Sequence, residues 1–388
     1  KLFFLFLLAS SFANAQTSDG SYTQPPKAIA DMLLAKAPPA VSVDDKGKWM
    51  VLSESNSYPS VEELEQPELK IAGMRINPAN YAPSRQNFIN NIYLKDLAAG
   101  KEYKISGLPS PLFAGSVSWS PDYKQFAFTQ TLKDKVDLYV VDIATQKARK
   151  LNKTPLNLIG GAAYQWVDGQ TLIYRSTLKP ASAAPPKPLM PKGPTMQENF
   201  GKAIPRPTFQ DLIKSPYDEE LFAFFGTSQL IRNKGGVETK IGEPGIYNSV
   251  SVSPDKKYLL VRQLQKPFSY SVPAGGFPTL VTIRDLNGKI VKELANLPSA
   301  ETAPSGNDNV QNVPRGFDWR DDMAATVYWA SPLDSGLIKN KMDYHDAVYA
   351  LNAPFTGEAQ LLFKTKLRYR SVNWGNAQLA LINEGLTG

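Results

Sequence analysis

Few residues in this sequence could perform hydrolysis. Nucleophilic hydrolysis of peptides and esters usually needs a serine, a histidine base and an acidic residue, with the serine often in a G-x-S-x-G turn. No such pentapeptide is present, and His345 is the only histidine among the 388 residues. His345 lies in KMDYHDAVY, directly before a predicted strand, which is typical of a loop residue. We therefore assign no catalytic residue within this sequence.

Metal and cofactor chemistry has equally little support. One histidine and no cysteine disfavour a zinc site. The acidic group Asp318, Asp321 and Asp322 lacks the alternating oxygen ligands of a calcium loop and is typical of a solvated turn. No glycine-rich phosphate loop is present, so we expect neither cofactor nor metal. A carboxylate pair that hydrolyses glycosides stays open, because no particular pair is marked.

The charge distribution restricts the class of partner. The chain carries 43 basic and 36 acidic residues, a net charge of +7, and the two signs are interspersed without a run of like charges. Proteins that bind nucleic acid usually show a basic block or a known RNA or DNA motif, and neither is found. We predict no nucleic-acid partner.

The elements that must position any site are repeated hairpins. VSWSPDYKQFAF at 117–128 and VSVSPDKKYLLV at 250–261 each place Ser-Pro-Asp between alternating apolar residues. Proline suits the second position of a type I turn and aspartate the third, so the motif predicts a β-hairpin. The same frame recurs at four further places, and four of the six tryptophans share one position of it.

A second kind of hairpin, with an Asp or Asn at its turn, alternates with the first. Four strands per unit, repeated with variable loops, are typical of β-propeller blades. The sequence thus predicts an all-β propeller of four-stranded blades, about six of an expected seven, the last incomplete, with a β-sandwich as the alternative fold. We expect the chain to be the front part of a longer protein.

Some segments do not follow this rhythm. The first residues combine a lysine, an apolar run and Ala13-Asn14-Ala15, which is the anatomy of a secretory signal peptide cleaved after Ala15. We expect an exported protein, periplasmic or secreted, with no membrane span after cleavage. TFQDLIKSPYDEELFAFF predicts one or two short helices separated at Ser215-Pro216. The predicted division is a signal peptide at 1–15, an N-terminal arm with a short helix at 16–40, and a partial propeller at 41–388 with a proline-rich insertion at 180–207.

The segments outside the repeats resemble the glutamyl endopeptidase branch of the prolyl oligopeptidase family of serine peptidases. The matching stretches are PPKAIADMLLAKAPPAVSV, EELEQPELKIAGMRINP with SRQNF, PPKPLMPKGP, RPTFQDLIKSPYDEELFAFFGTSQL, KYLLVRQLQKPFSYSVPAGGFP and LRYRSVNWGNAQLALINE. The resemblance implies an arm, a propeller and a C-terminal α/β-hydrolase domain that carries the catalytic Ser, Asp and His. None of these three catalytic positions lies within this sequence. It implies a gating and substrate-selecting role toward peptides, with the protein's own hydrolase domain as partner and this fragment inactive alone.

Preference for cleavage after glutamate would require a fixed cation facing the substrate carboxylate. Arginine suits this role because its planar fork can donate two parallel hydrogen bonds. The loop MRINPANYAPSRQNF belongs to the segments that carry the resemblance and offers Arg75 and Arg85 as substrate-binding residues. The alternative for both is a solvated or structural arginine. The rival function is a non-enzymatic envelope propeller of the TolB type, since repeats alone do not separate the two.

Overall fold

The computed structural model describes residues 25–33, 35, 37–189, 208–376 and 378–387, without the side chain of Glu62. The predicted signal peptide, residues 16–24 of the predicted arm and residues 190–207 of the proline-rich insertion lie outside the described residues. The described part is mostly antiparallel β-sheet. None of its helices is long and apolar enough to cross a bilayer.

Most strands and helices of the described residues are short, and the exception is the 16-residue strand Val237–Val252. In chain order, the strands are β1 (Ala40–Val43), β2 (Trp49–Ser55), β3 (Leu69–Ile71), β4 (Met74–Asn77), β5 (Ala82–Pro83), β6 (Ile89–Asp96), β7 (Lys101–Lys104), β8 (Ala114–Trp119), β9 (Gln125–Thr131), β10 (Val136–Asp142), β11 (Lys147–Lys150), β12 (Tyr164–Trp166), β13 (Thr171–Ser176), β14 (Ser228–Lys234), β15 (Val237–Val252), β16 (Tyr258–Leu264), β17 (Thr279–Asp285), β18 (Ile290–Leu297), β19 (Arg315–Trp319), β20 (Thr326–Pro332), β21 (Asp346–Asn352), β22 (Gln360–Thr365), β23 (Arg368–Asn376) and β24 (Leu379–Gly385). The α-helices are α1 (Lys27–Leu33), α2 (Val61–Leu64) and α3 (Pro216–Gly226), and 3₁₀ turns occur at Ala181–Ala183, Ala274–Gly276 and Ala300–Thr302.

The strands form successive antiparallel units, which we number 1 to 6. Units 1 to 5 have four strands each: β1, β2, β6 and β7; β8 to β11; β12 to β14 with the first part of β15; the second part of β15 with β16 to β18; and β19 to β22. Unit 6 has the two described strands β23 and β24. The predicted alternation of two hairpins per unit is therefore confirmed.

Both Ser-Pro-Asp motifs form the same turn. In the first, the amide of Tyr123 donates to the Ser120 carbonyl, and the Ser120 hydroxyl donates to Asp122 Oδ1 at 2.7 Å. In the second, Lys256 donates to the Ser253 carbonyl, and the Ser253 hydroxyl lies 2.7 Å from Asp255 Oδ1. These bonds are all internal to each turn, so the motif shapes the hairpin, as its residue types predict.

Loop length differs between the two ends of the units. Because the strands alternate in direction, connections after the second and fourth strands lie at one end of a unit, and turns after the first and third lie at the other. The connection after the second strand is long in units 1, 3, 4 and 5, at 56–88, 177–227, 265–278 and 333–345. We call this end the loop end. Loops carried on a rigid scaffold are where binding residues concentrate.

Two predicted helical segments behave differently. Helix α1 in the arm has no buried residue. Helix α3 begins at Pro216 with Ser215 as its N-cap, whose hydroxyl accepts from the Asp218 amide at 3.2 Å, and it buries Leu221, Phe222 and Phe225. Of the one or two helices predicted after the proline-rich insertion, the described residues contain one, because 208–214 is not helical.

Candidate functional site

The long connection of unit 1 folds as a small sheet of β3, β4 and β5 at the loop end. Its first turn consists of Ala72 and Gly73, both in the left-handed region with φ of 52° and 76°. Two consecutive left-handed residues fit the twist of a two-residue hairpin, and glycine reaches this conformation without strain. The sheet therefore presents a tight turn to its neighbours.

Connections from units 1, 3 and 4 meet at this turn. The Gly73 amide donates to the Asp211 carbonyl, and the Ala274 amide donates to the Ala72 carbonyl, each at 2.8 Å. Apolar side chains from the same three connections share one buried cluster, which we call the insertion cluster. Its buried members include Ile71, Ile76, Tyr81, Ile213, Leu221, Phe222, Phe225, Phe268, Val272 and Phe277. These three long connections, which we call the insertions, thus pack together as one body.

Arg75, one of the two predicted substrate-binding residues, joins two of these insertions. Its Nε lies 2.9 Å from Asp211 Oδ2, and the two side chains are 39% and 19% exposed. The hydrogen bond from the guanidinium to Asp211 raises the pKa of Arg75. Arg75 therefore has a carboxylate partner in this structure, and its role toward a substrate stays a prediction.

Arg85, the second predicted residue, also has an acidic partner but is more open. Its Nε lies 3.0 Å from Glu68 Oε2, and its side chain is 63% exposed. The Ser84 hydroxyl donates to Glu68 at 2.8 Å, and this bond is the largest cause that lowers the pKa of the Glu68 carboxyl. The structure thus separates the two arginines, and the role of Arg85 toward a substrate also stays a prediction.

A cleft of about 670 Å³ opens beside Arg85, and Arg75 does not line it. It is formed by the 60–67 segment around α2, the β4–β5 region and the β9–β10 turn. Its lining residues are Ser60, Glu63, Glu65, Gln66, Pro67, Asn77, Ala79, Asn80, Pro83, Ser84, Arg85, Gln86, Phe88, Pro111, Phe113, Thr131, Leu132 and Lys133. A concave surface with aromatic and proline walls and a few charged groups is typical of a ligand site.

The cleft includes a residue that sequence reasoning missed. Lys133 lies in the four-residue connection between β9 and β10, and the Asn80 side-chain amide donates to the neighbouring Leu132 carbonyl at 2.9 Å. The sequence marks this connection only as a short polar link between two strands. Its position in the cleft depends on contacts between units, which no local pattern encodes.

His345 lies in a buried charge cluster between units 5 and 6. Its Nδ1 is 2.7 Å from Asp334 Oδ2, which also accepts a 2.6 Å bond from Arg368 Nη2. Burial alone would raise the pKa of the Asp334 carboxyl, but the hydrogen bonds from His345 and Arg368 outweigh it and lower that pKa. Arg368 is 1% exposed and also contacts Asp346 at 3.2 Å. These bonds join the two units.

Comparison with known proteins shows which sequences the chain is similar to. No protein-family model matches the sequence. The probable chloroplastic glutamyl endopeptidases of Oryza sativa subsp. japonica and Arabidopsis thaliana are each 34% identical to it over 380 residues, which is 94% of this chain. The chain is homologous to the N-terminal portion of glutamyl endopeptidases. It spans 40% and 39% of the length of these two relatives.

Solved structures show weaker similarity to this glutamyl endopeptidase homologue. The acylaminoacyl peptidase of Pyrococcus horikoshii aligns with a TM-score of 0.39 at 12% identity, over 85% of this chain and 40% of that one. The β-propeller domain of the Trilobed protease from Pyrococcus furiosus aligns with a TM-score of 0.37 at 11% identity, over 90% and 83%. The sequence comparison alone confirms the predicted resemblance to glutamyl endopeptidases.

Proposed function

We propose that this chain is the substrate-selecting portion of a serine peptidase of the prolyl oligopeptidase family that cleaves peptides after glutamate. The observation that carries the proposal is the 34% identity to glutamyl endopeptidases over 94% of the chain. The catalytic Ser, Asp and His would come from an α/β-hydrolase domain that follows this chain in the full-length protein. In this proposal the chain itself contributes binding and gating but no reacting group.

The antiparallel units would be blades of a β-propeller. Five units of four strands, with short turns at one end and long connections at the other, support this arrangement. The insertion cluster supports a specialised loop end, because it is built largely from the long connections that a plain repeat of four-stranded units would lack. We place the hydrolase domain over the loop end, where the cleft beside Arg85 opens.

Activity of the complete reading-frame product tests this function. We expect it to hydrolyse a blocked glutamyl peptide and to lose that turnover with a serine-directed inhibitor. The 388-residue chain alone should show no turnover, because nucleophile, base and oxyanion donors act together and are supplied elsewhere. A complete product without peptidase activity would contradict the proposal and favour a binding propeller. So would inhibitor-sensitive turnover by the chain alone.

Export is a separate part of the proposal. The supporting observation is the sequence of residues 1–15, with its apolar run and small-residue triplet. We expect exported protein to begin at Gln16. N-terminal sequencing of protein from the cell envelope and medium checks this, and retention of Lys1 would contradict it.

A further inference from the structure

The cleft beside Arg85 contains one cation whose charge is not already paired. Among the residues that the structure describes, Arg75 and Arg85 each lie within 3.0 Å of a carboxylate oxygen, whereas the Lys133 ammonium has no carboxylate within ion-pairing distance. Lys133 is exposed to solvent at the edge of the cleft. An unpaired ammonium can bind an incoming carboxylate without first breaking an internal ion pair.

The surroundings of Lys133 suit a side chain with an apolar stem and a charged tip. Phe88 and Phe113 line the same cleft and pack edge to face with ring centroids 5.6 Å apart. Leu132 and Pro111 add further apolar surface. The methylene groups of a glutamate could pack on such a wall while its carboxylate meets the ammonium.

The position of Lys133 is fixed by the fold. The β9–β10 connection is closed by the Leu132 amide, which donates to the Lys135 carbonyl at 2.8 Å. Asn80, which is 3% exposed, binds the Leu132 carbonyl from the β4–β5 loop. Two elements from different units thus hold the backbone of this lysine against the cleft.

Two carboxylates in the cleft act against an acidic ligand. Glu63 accepts a 2.5 Å hydrogen bond from the Ser60 amide in the capping box of α2, so its carboxylate is held at the helix start. Glu65 is exposed and lines the cleft from the same segment. Like charges repel, so a ligand carboxylate should lie toward Lys133 and away from this segment.

We propose that Lys133 is the residue that selects an acidic substrate side chain, with Arg85 as a secondary contact whose Nε is oriented by Glu68. The inference rests on the proposed function and deepens it, since it names the residue of this chain that binds the glutamate side chain of the substrate. It differs from the sequence-based assignment, in which Arg75 and Arg85 carry that role. Arg75 does not line the cleft and pairs with Asp211.

Equilibrium binding to the 388-residue chain tests the inference without requiring catalysis. The probes are two blocked peptides that differ only in one residue, Glu or Gln, so that the only ligand charge is the side chain. We expect the Glu peptide to bind the chain about 10-fold more tightly at low salt, because a charge-assisted hydrogen bond replaces a neutral one. The ratio should fall as salt is raised.

Variants of three exposed residues provide the test and its controls. Lys133→Met should lower the Glu/Gln ratio several-fold, mainly by weakening binding of the Glu peptide, while Lys133→Arg should keep the ratio. Lys124→Met removes an exposed lysine from the turn at the opposite end of the same unit and should change neither value. Glu65→Gln should raise the ratio. An unchanged ratio in Lys133→Met, or equal binding of the two peptides by the wild-type chain, would overturn the inference.

Binding and turnover together separate the two proposals. If the chain shows Lys133-dependent preference for the Glu peptide but the complete reading-frame product has no peptidase activity, the proposed function fails and the inference stands. If the product cleaves after glutamate and Lys133→Met keeps the wild-type Glu/Gln ratio, the function stands and Lys133 is not the selecting residue.

Discussion

Replacement of Gly73 by alanine should disrupt the junction of the three insertions. A Cβ added at Gly73 would lie 2.4 Å from Pro273 Cβ and 3.2 Å from Pro273 Cα, and a proline ring and its backbone cannot swing aside. The left-handed φ of 76° adds a strain of about 1–2 kcal/mol for any residue with a Cβ. Overpacking of this kind typically costs about 1–3 kcal/mol more.

Gly47→Ala is the matched control for this change. Gly47 also has a left-handed φ, 62°, but an added Cβ would meet nothing within 4 Å. Backbone strain and the lower entropy of the unfolded chain affect both variants alike, so the difference isolates the clash with Pro273. Urea unfolding followed by tryptophan fluorescence should show Gly73→Ala less stable than Gly47→Ala by about 1–3 kcal/mol. Equal destabilisation of the two variants would refute the predicted contact between insertions.

Three further predictions concern charged groups. Arg368→Met should lower the free energy of unfolding by about 3–5 kcal/mol, because it removes a buried cationic partner from two buried carboxylates at once, whereas Arg370→Met at a 41% exposed site should cost far less in the same urea titration. Tyr174→Phe removes a 2.6 Å hydrogen bond that helps to lower the pKa of Glu238 against the opposing effect of burial, and should cost about 1 kcal/mol at pH 7. A lowered carboxyl pKa stabilises the fold above its ordinary value of 4.5, so urea titrations should show this cost shrinking as the pH falls below 4.5, and a pH-independent cost would contradict it. Arg75→Gln should cost under about 1 kcal/mol in urea titrations, and less at high salt, because its ion pair is partly exposed; a larger, salt-independent loss would contradict this.

The repeating part of the fold follows from local sequence. Ser-Pro-Asp sets its own turn through bonds within five residues, and the alternating apolar residues set which strand face is buried, so the hairpins could be read without tertiary information. The insertions could not be read in this way. The Ala72-Gly73 turn is defined by contacts with Asp211 and Ala274, which are more than 130 residues away in the chain.

The candidate site shows the same limit more strongly. Arg75 and Arg85 lie in the same loop sequence, MRINPANYAPSRQNF, and that sequence alone gives no reason to predict different roles for them. Their ion-pair partners differ in position. Arg75 pairs with Asp211 of another insertion, whereas Arg85 pairs with the nearby Glu68 and lines the cleft. Lys133 comes from another unit and carries no local signal, because a polar residue in a hairpin turn is expected at any exposed loop.

Substrate preference of the complete reading-frame product tests the central claim most directly. The measurement is kcat/KM for two blocked peptides that differ only in Glu or Gln at the residue before the cleaved bond. A peptidase that selects an acidic side chain through a fixed cation should favour the Glu peptide by about 10-fold or more, with loss of both rates on treatment with a serine-directed inhibitor. Equal kcat/KM values for the two peptides, or the absence of any turnover, would contradict the proposal that this chain is the substrate-selecting portion of a glutamate-selective peptidase.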